Sequence, residues 1–284
     1  MQSIQNKTNV NAAFKISVCI PVYNGAAYIK QTVQSVLEQT VDKFELVIVD
    51  NASTDNTCEI INGFKDSRIR LVKNSQNLGM IGNWNKCVKE ANGDYIQVLC
   101  ADDIIYSTCL EEKIAILHSD ENIKMVISSS DVIDGQSNIL FTRRVFRKDK
   151  VIDGKKFARW SFRTKNLYGE PSCVMFRRKD FIKLGGFPAN IIYGPDWAFW
   201  IRLGAMGNIA YLSKAMSAFR IEVGTTSSKL MKDFAFLKKD DKELVDYIKR
   251  IKVIKINFLD ILIHNTVFLM MYIFKKYIFN TRKK

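Results

Sequence analysis

Four short runs of β-branched and other apolar residues recur at intervals of roughly 25 residues, and no other feature restricts the fold of this chain as strongly. They are ISVCIPV (Ile16–Val22), FELVIVD (Phe44–Asp50), IRLVK (Ile69–Lys73) and DYIQVLC (Asp94–Cys100). Each is bounded by polar or turn residues and is apolar enough to form a strand buried on both faces. Helix-length segments separate them. Ala26–Gln39 puts Ile29, Val33, Val36 and Leu37 on one face, Thr54–Phe64 is opened by Ser53 and Thr54, and Ile81–Ala91 is stopped by Asn92 and Gly93. Units alternating in this way predict an α/β fold, a mostly parallel sheet wound on both faces with helices, through about residue 130. Ligands of such sheets bind at the carboxyl ends of the strands.

The residues at those ends are polar in every case: PVYNG, DNASTDNT, NSQNLG and ADD. Any one of them is also a fair helix cap, since Ser, Thr, Asp and Asn are what caps prefer. Four along one edge point to a binding edge instead. No phosphate-binding glycine loop explains them, because NLGMIGN offers only Gly79 and Gly82 and no G-x-x-x-x-G-K-[ST] occurs. A nucleotide on this edge must therefore be gripped by carboxylates and a metal. The pair Asp102 and Asp103 suits Mg²⁺ or Mn²⁺, which take oxygen ligands and share their shell with substrate phosphates. Neighbours in extended chain point to opposite sides, so the two acids are expected to divide the work, one toward a ribose and one toward the cation.

The formal charge of +14 is unevenly placed. From Lys229 to Lys284 there are fourteen Lys and Arg against six acids, and RRVFRKDK (Arg143–Lys150) carries more of the excess. A phosphate-bearing substrate or an anionic membrane surface would suit that charge. Nucleic acid is not expected as a partner, because the basic residues lie away from the polar edge and no recognition motif is present. The six cysteines, with no C-x-x-C pair, read as reduced core thiols. Residues 1–15, expected to be a flexible N-terminus, contain no apolar segment of a signal peptide, so a cytoplasmic location is expected.

In order and spacing, ISVCIPVYNG, ELVIVDNASTDNT, NLGMIGNWN, GDYIQVLCADD and YGPDWAFWIRL resemble the family 2 glycosyltransferases, inverting nucleotide-sugar enzymes with a GT-A fold, over about Ile16 to Ser228. The resemblance implies a nucleotide-binding half over 16–105 and an acceptor half over 106–228. It also implies that Pro21, Tyr23 and Asp50 line the base and ribose pocket, that Asn85 helps to shape it, and that Asp102 and Asp103 fill the family's DxD-type element, with Asp103 as metal ligand. The donor would be a nucleoside diphosphate sugar and the cofactor a divalent cation. Asp196, at the start of the tryptophan-bearing helix, matches the acid that takes the proton from the acceptor hydroxyl. Near a reference pKa of about 3.9 it would be a feeble base, and proton transfer would come late.

Three positions depart from the family pattern. Asn51 stands where a second acid often follows Asp50, and since Asn both accepts and donates, the base preference is left open. Pro195 replaces the Glu that often precedes the helix acid. Glu222, in FRIEVGTTSS, occupies the slot of a frequent metal-binding His and can ligate a hard cation as well as it can be a solvated surface acid. These departures keep a second reading open, a catalytically inactive nucleotide-sugar or glycan-binding module of the same fold.

The tail, residues 229–284, lies beyond the resemblance. Ile256–Phe274 has fourteen apolar residues of nineteen, yet Asn257, Asp260 and His264 recur at helical spacing as a polar stripe. A basic amphipathic helix lying in a membrane interface is expected, docking the protein on the inner face of the cytoplasmic membrane beside a lipid-linked glycan acceptor. Packing of the same helix back on the protein is the alternative.

Overall fold

The structure is a computed structural model and describes residues 15–221 and 233–281. The four apolar runs form β1 (Ile16–Val22), β2 (Phe44–Asp50), β3 (Ile69–Lys73) and β4 (Tyr95–Val98), joined by α1 (Ile29–Leu37), α2 (Thr57–Asn62) and α3 (Gly79–Glu90). They pair in the order β3-β2-β1-β4, parallel throughout. Helix α2 starts later than its Ser-Thr signal suggests, because Asp55 turns back on the Thr57 amide and hydroxyl. As the edge of the sheet, β3 is half-buried, unlike its neighbours.

The second half extends this sheet with strands of both directions: β5 (Ile104–Ile105), β6 (Ile123–Ile133), β7 (Ile139–Arg143), β8 (Lys150–Asp153), β9 (Val174–Arg177) and β10 (Asn208–Arg220). Strand β9 runs antiparallel between β4 and β6, so its amino end meets the carboxyl ends of both neighbours. Strands β6 and β10 are parallel. The helices of this half are α4 (Cys109–Ser119), α5 (Gly154–Thr164), α6 (Arg178–Leu184) and α7 (Pro195–Gly204).

Alternation along β1 sends Val18 and Ile20 to one face and Cys19 to the other. The first face is covered by α1, α2 and α4 through Ile29, Val33, Ile61 and Ile114, the second by α3, α5, α6 and α7 through Val88, Phe162, Phe181 and Trp200. The central sheet thus carries helices on both sides, as the alternating pattern requires. All six cysteines are free thiols, four of them buried.

The tail folds against the body. Helix α8 (Phe234–Ile251) inserts Leu244, Val245, Tyr247 and Ile248 into the second core, and α9 (Phe258–Thr281) packs on α5. The polar stripe of α9, expected to face the headgroups of a membrane, faces the protein instead. Asp260 is fully buried between Arg159 and Arg163, one turn apart on α5, and His264 bonds the Phe162 carbonyl and Asp241 while stacking on the Phe162 ring at 4.7 Å. Two arginines neutralise an acid that would otherwise be costly to bury. The outward face of α9 is mostly apolar: Phe258, Leu259, Leu262, Leu269, Met270 and Ile273 are exposed, with Asn265 and Thr266 the polar exceptions among them. Among the described residues, no helix is long and apolar enough to cross a membrane.

Candidate active site

The carboxyl ends of β1, β2 and β4, the amino end of β9 and the amino end of α7 converge on one edge of the sheet, and the polar residues picked out in the sequence lie there. The loops after β1 and β2 are laced together. Asn24 donates its amide to Ser53 Oγ (2.9 Å) and accepts from the Thr54 amide (2.8 Å), and Gly25 donates to Thr57 Oγ1 (2.8 Å). Asn24 and Ala52 hold left-handed backbone, φ 49° and 61°, a strain that binding loops tolerate when their surroundings fix them. Pro21 is buried opposite Val49, and Tyr23 presents a half-exposed ring. Asp50 is buried, with one oxygen on the Ser53 amide (3.2 Å) and the other, Oδ1, without a hydrogen-bond partner among the described residues. A buried acceptor left unmatched costs on the order of 1–3 kcal/mol, which a ligand N–H or O–H would recover.

Asn51 and Asn85, expected to line or shape the nucleotide pocket, hydrogen-bond to the scaffold. Asn51 donates to Asn77 Oδ1 (2.8 Å) and accepts from Asn74 Nδ2 (2.9 Å) and the Leu78 amide (2.8 Å), which fastens the loop between β3 and α3. Asn85 grips the backbone of Phe187 at both its N–H and C=O (2.8 and 2.9 Å), and any side chain at Gly186 would collide with it. All the strong bonds of both amides go to protein.

The two acids of the pair sit in different surroundings. Asp103, expected to ligate the metal, is fully buried: Oδ2 accepts from Ser172 Oγ (2.5 Å) and Oδ1 from the Arg220 amide (3.0 Å). Burial, reinforced by the charges of Asp102 and Glu170, holds its carboxyl well above the usual range despite those two donors. Asp102 is the member that keeps part of its surface exposed. Arg220 braces the turn, donating from Nε to Asp102 O (2.9 Å), from Nη1 to Asp134 O (2.7 Å) and from Nη2 to Gln31 Oε1 (2.7 Å), over the Tyr28 ring. Thr32 Oγ1 holds the turn from below, on the carbonyls of Ala101 and Asp103 (both 2.9 Å). Glu222 lies outside the described residues. Among those described, no three His, Cys, Asp or Glu side chains are grouped to hold a metal.

Asp196 is the second residue of α7, after Pro195 at the first helical position, where a missing N–H costs nothing. Asn166 Nδ2 donates to its Oδ2 (3.1 Å). Burial, with the charge of Glu170 acting the same way, outweighs the Trp197 amide and Asn166 and raises its pKa to about 7. A carboxyl expected near 3.9 from the sequence is thus held close to neutral pH. Ser172, Arg220, Asn166 and Glu170 were not picked out beforehand. Arg220 sits within FRIE, and an arginine two residues before a candidate metal ligand was the available signal for it.

The chain was compared with known proteins. A family model described as Glycosyl transferase family 2 matches residues 17–185. The E. coli UDP-Glc:α-D-GlcNAc-diphosphoundecaprenol β-1,3-glucosyltransferase WfaP is 30% identical over 222 residues, 77% of this chain and 82% of WfaP. An uncharacterised glycosyltransferase of Methanocaldococcus jannaschii is 34% identical over 191 residues, 66% of this chain and 63% of that protein. Among solved structures, S. aureus TarS 1-349 in complex with UDP-GlcNAc superposes with a TM-score of 0.67 at 20% identity, covering 82% of this chain and 66% of that one. About a third of the archaeal relative and of TarS 1-349 therefore lies outside the match.

Proposed function

Since the chain belongs to glycosyl transferase family 2 and carries its GT-A fold, and is therefore a glycosyltransferase, we propose that it moves a sugar with inversion from a UDP-sugar to a hydroxyl of a lipid-linked glycan, with Asp196 as base and Asp102 at the diphosphate. One observation carries this reading: two partly exposed carboxylates, Asp102 and an Asp196 raised to about 7, stand on the same sheet edge. WfaP, whose name gives a UDP-glucose donor and a diphosphoundecaprenol-linked acceptor, supports the choice of substrates.

The nucleoside would rest on Tyr23 and Pro21, with Asp50 Oδ1 accepting from its base or ribose. The donor set fits a hard divalent cation that arrives with the diphosphate: Asp102 is an oxygen ligand, and substrate phosphates can supply the rest of the shell. When bound, such a cation offsets the charge that builds on the departing diphosphate. The chain's own part is acid–base and positional. Asp196, fixed by Asn166, receives the proton of the acceptor hydroxyl as that oxygen bonds to the anomeric carbon and the carbon–phosphate-oxygen bond breaks on the opposite face. Asp103 holds the turn that presents Asp102.

The outward apolar face of α9, with exposed Lys249, Arg250, Lys252 and Lys255 leading into it, would seat the protein on an anionic membrane. Calorimetry with UDP, with and without Mn²⁺, tests the donor site: binding that strengthens with the cation is expected, and no binding under either condition would refute it.

A further inference from the structure

The loop Asn166–Cys173 is pinned at both ends of the site. Asn166 Nδ2 donates to Asp196 Oδ2 (3.1 Å) and to Gly169 O (3.2 Å). At the other end, Ser172 Oγ donates to Asp103 Oδ2 (2.5 Å) and accepts from the Cys100 amide (3.1 Å). One strap thus joins the base to the strand end that carries the acid pair. Gly169 turns it, at φ +88°, where a Cβ would sit tightly at 3.0 Å from Cys173 Sγ.

Glu170 follows at the middle of the strap. Its side chain is 12% exposed. Oε2 is bonded by Arg143 and lies 3.3 Å from the Cys173 thiol, while Oε1 takes no hydrogen bond among the described residues. Arg143 is anchored in turn on Ser130 Oγ (3.0 Å). The Glu170 charge acts on Asp103 and on Asp196 alike, so it lies near both. A third carboxylate among acids is a costly choice if its only task is to fill space. In a displacement, the reacting sugar must lie between the leaving diphosphate at Asp102 and the attacking oxygen at Asp196. A strap tied to both places runs beside that sugar.

We propose that Glu170 Oε1 accepts a hydroxyl of the sugar held between Asp102 and Asp196, with Arg143 as the brace that aims it. This rests on the functional reading above. The hydroxyl belongs to the donor sugar or to the acceptor sugar, and the experiment separates the two. Full-length wild type, Glu170→Gln and Glu170→Asp are compared by calorimetry with UDP, UDP-glucose and UDP-N-acetylglucosamine in Mn²⁺, and by the KM for a GlcNAc-diphospholipid acceptor. A charged hydrogen bond to a sugar hydroxyl corresponds to about a tenfold to hundredfold change in affinity. Both variants should keep UDP binding within about twofold. A loss of that size for one UDP-sugar assigns the hydroxyl to the donor, and a matching rise in acceptor KM alone assigns it to the acceptor. UDP-sugar and acceptor constants that stay at wild-type values would overturn the proposal. So would a loss of UDP binding in step with UDP-sugar binding, which would make the Arg143 pair a purely structural one. Wild-type protein that binds none of the three nucleotides would instead bring down the functional reading itself.

Discussion

Replacing Asp196 by Asn should cost activity and return stability, both with a pH dependence set by the same group. A base with a pKa of about 7 is half ionised at that pH, so kcat should fall about tenfold for each pH unit below roughly 6 and level off above 8. An ordinary carboxylate would leave the rate flat over the whole range. Asp196→Asn should lower transfer by about a hundredfold or more and flatten what remains. Asp196 binds its proton more tightly folded, about 7 against 3.8, so between those values the folded state holds more protons and stability falls as pH rises. The gap of about three pH units, at 1.36 kcal/mol each, sets an upper bound of about 4 kcal/mol, which solvent at this half-buried site will reduce. The Asn variant should therefore melt at the wild-type temperature near pH 4 and above it at pH 8. Scanning calorimetry at the two pH values, with a pH–rate series, measures both effects. A wild-type rate flat to pH 5, together with an Asn variant no more stable at pH 8, would refute the assignment.

The acid pair should separate cleanly: Asp102→Asn is expected to abolish the Mn²⁺ enhancement of UDP binding at unchanged melting temperature. Asp103→Asn, which leaves one of two buried donors without its acceptor, is expected to lose about 1–3 kcal/mol of stability and keep the enhancement. On vesicles, Leu262→Glu with Met270→Glu should remove co-sedimentation with anionic lipid while melting normally, and binding equal to wild type would acquit α9. Asp260→Ala, which removes the shared partner of the partly exposed Arg159 and Arg163, should cost about 1.5–3 kcal/mol at pH 7 by chemical denaturation. Because those partners hold the Asp260 carboxyl below its usual range, its contribution is present above the unfolded value of 3.8 and fades as pH falls through the lower folded one.

How much of this was legible beforehand follows the reach of each interaction. Strands β1 to β4 and the positions of Asp50, Asp102 and Asp196 follow from local pattern, because an apolar run and the loop after it are close in the chain. Strand alternation would send Asp102 and Asp103 to opposite sides, but the chain has left β4 by then and the two acids stand in a turn closed by the Asp103 amide on the Cys100 carbonyl (3.1 Å). Which one turns inward is decided by Ser172 and Arg220, 69 and 117 residues away from Asp103, and no local pattern carries that information. Asn51 and Asn85 look like ligand amides in sequence for the same reason that they make good scaffold: an amide donates and accepts at once, and its partners were out of sight. The tail stripe was read at the right spacing and the wrong side. A polar face beside an apolar one normally looks to water, and partners far away in the chain, Arg159 and Arg163 on Asp260 and Phe162 and Asp241 on His264, turn it inward. That reversal also places α8 within the core, so a chain ended near Ser228 would lose packing as well as any anchor.

The central claim, an inverting transferase with Asp196 as its base, is tested most directly by the anomeric configuration of the product. Incubated with α-linked UDP-glucose, Mn²⁺ and a GlcNAc-diphospholipid, the wild-type protein should form a β-linked product by NMR, and Asp196→Asn should form almost none while still binding UDP. An α-linked product, or an Asn variant that turns over at the wild-type rate, would contradict it.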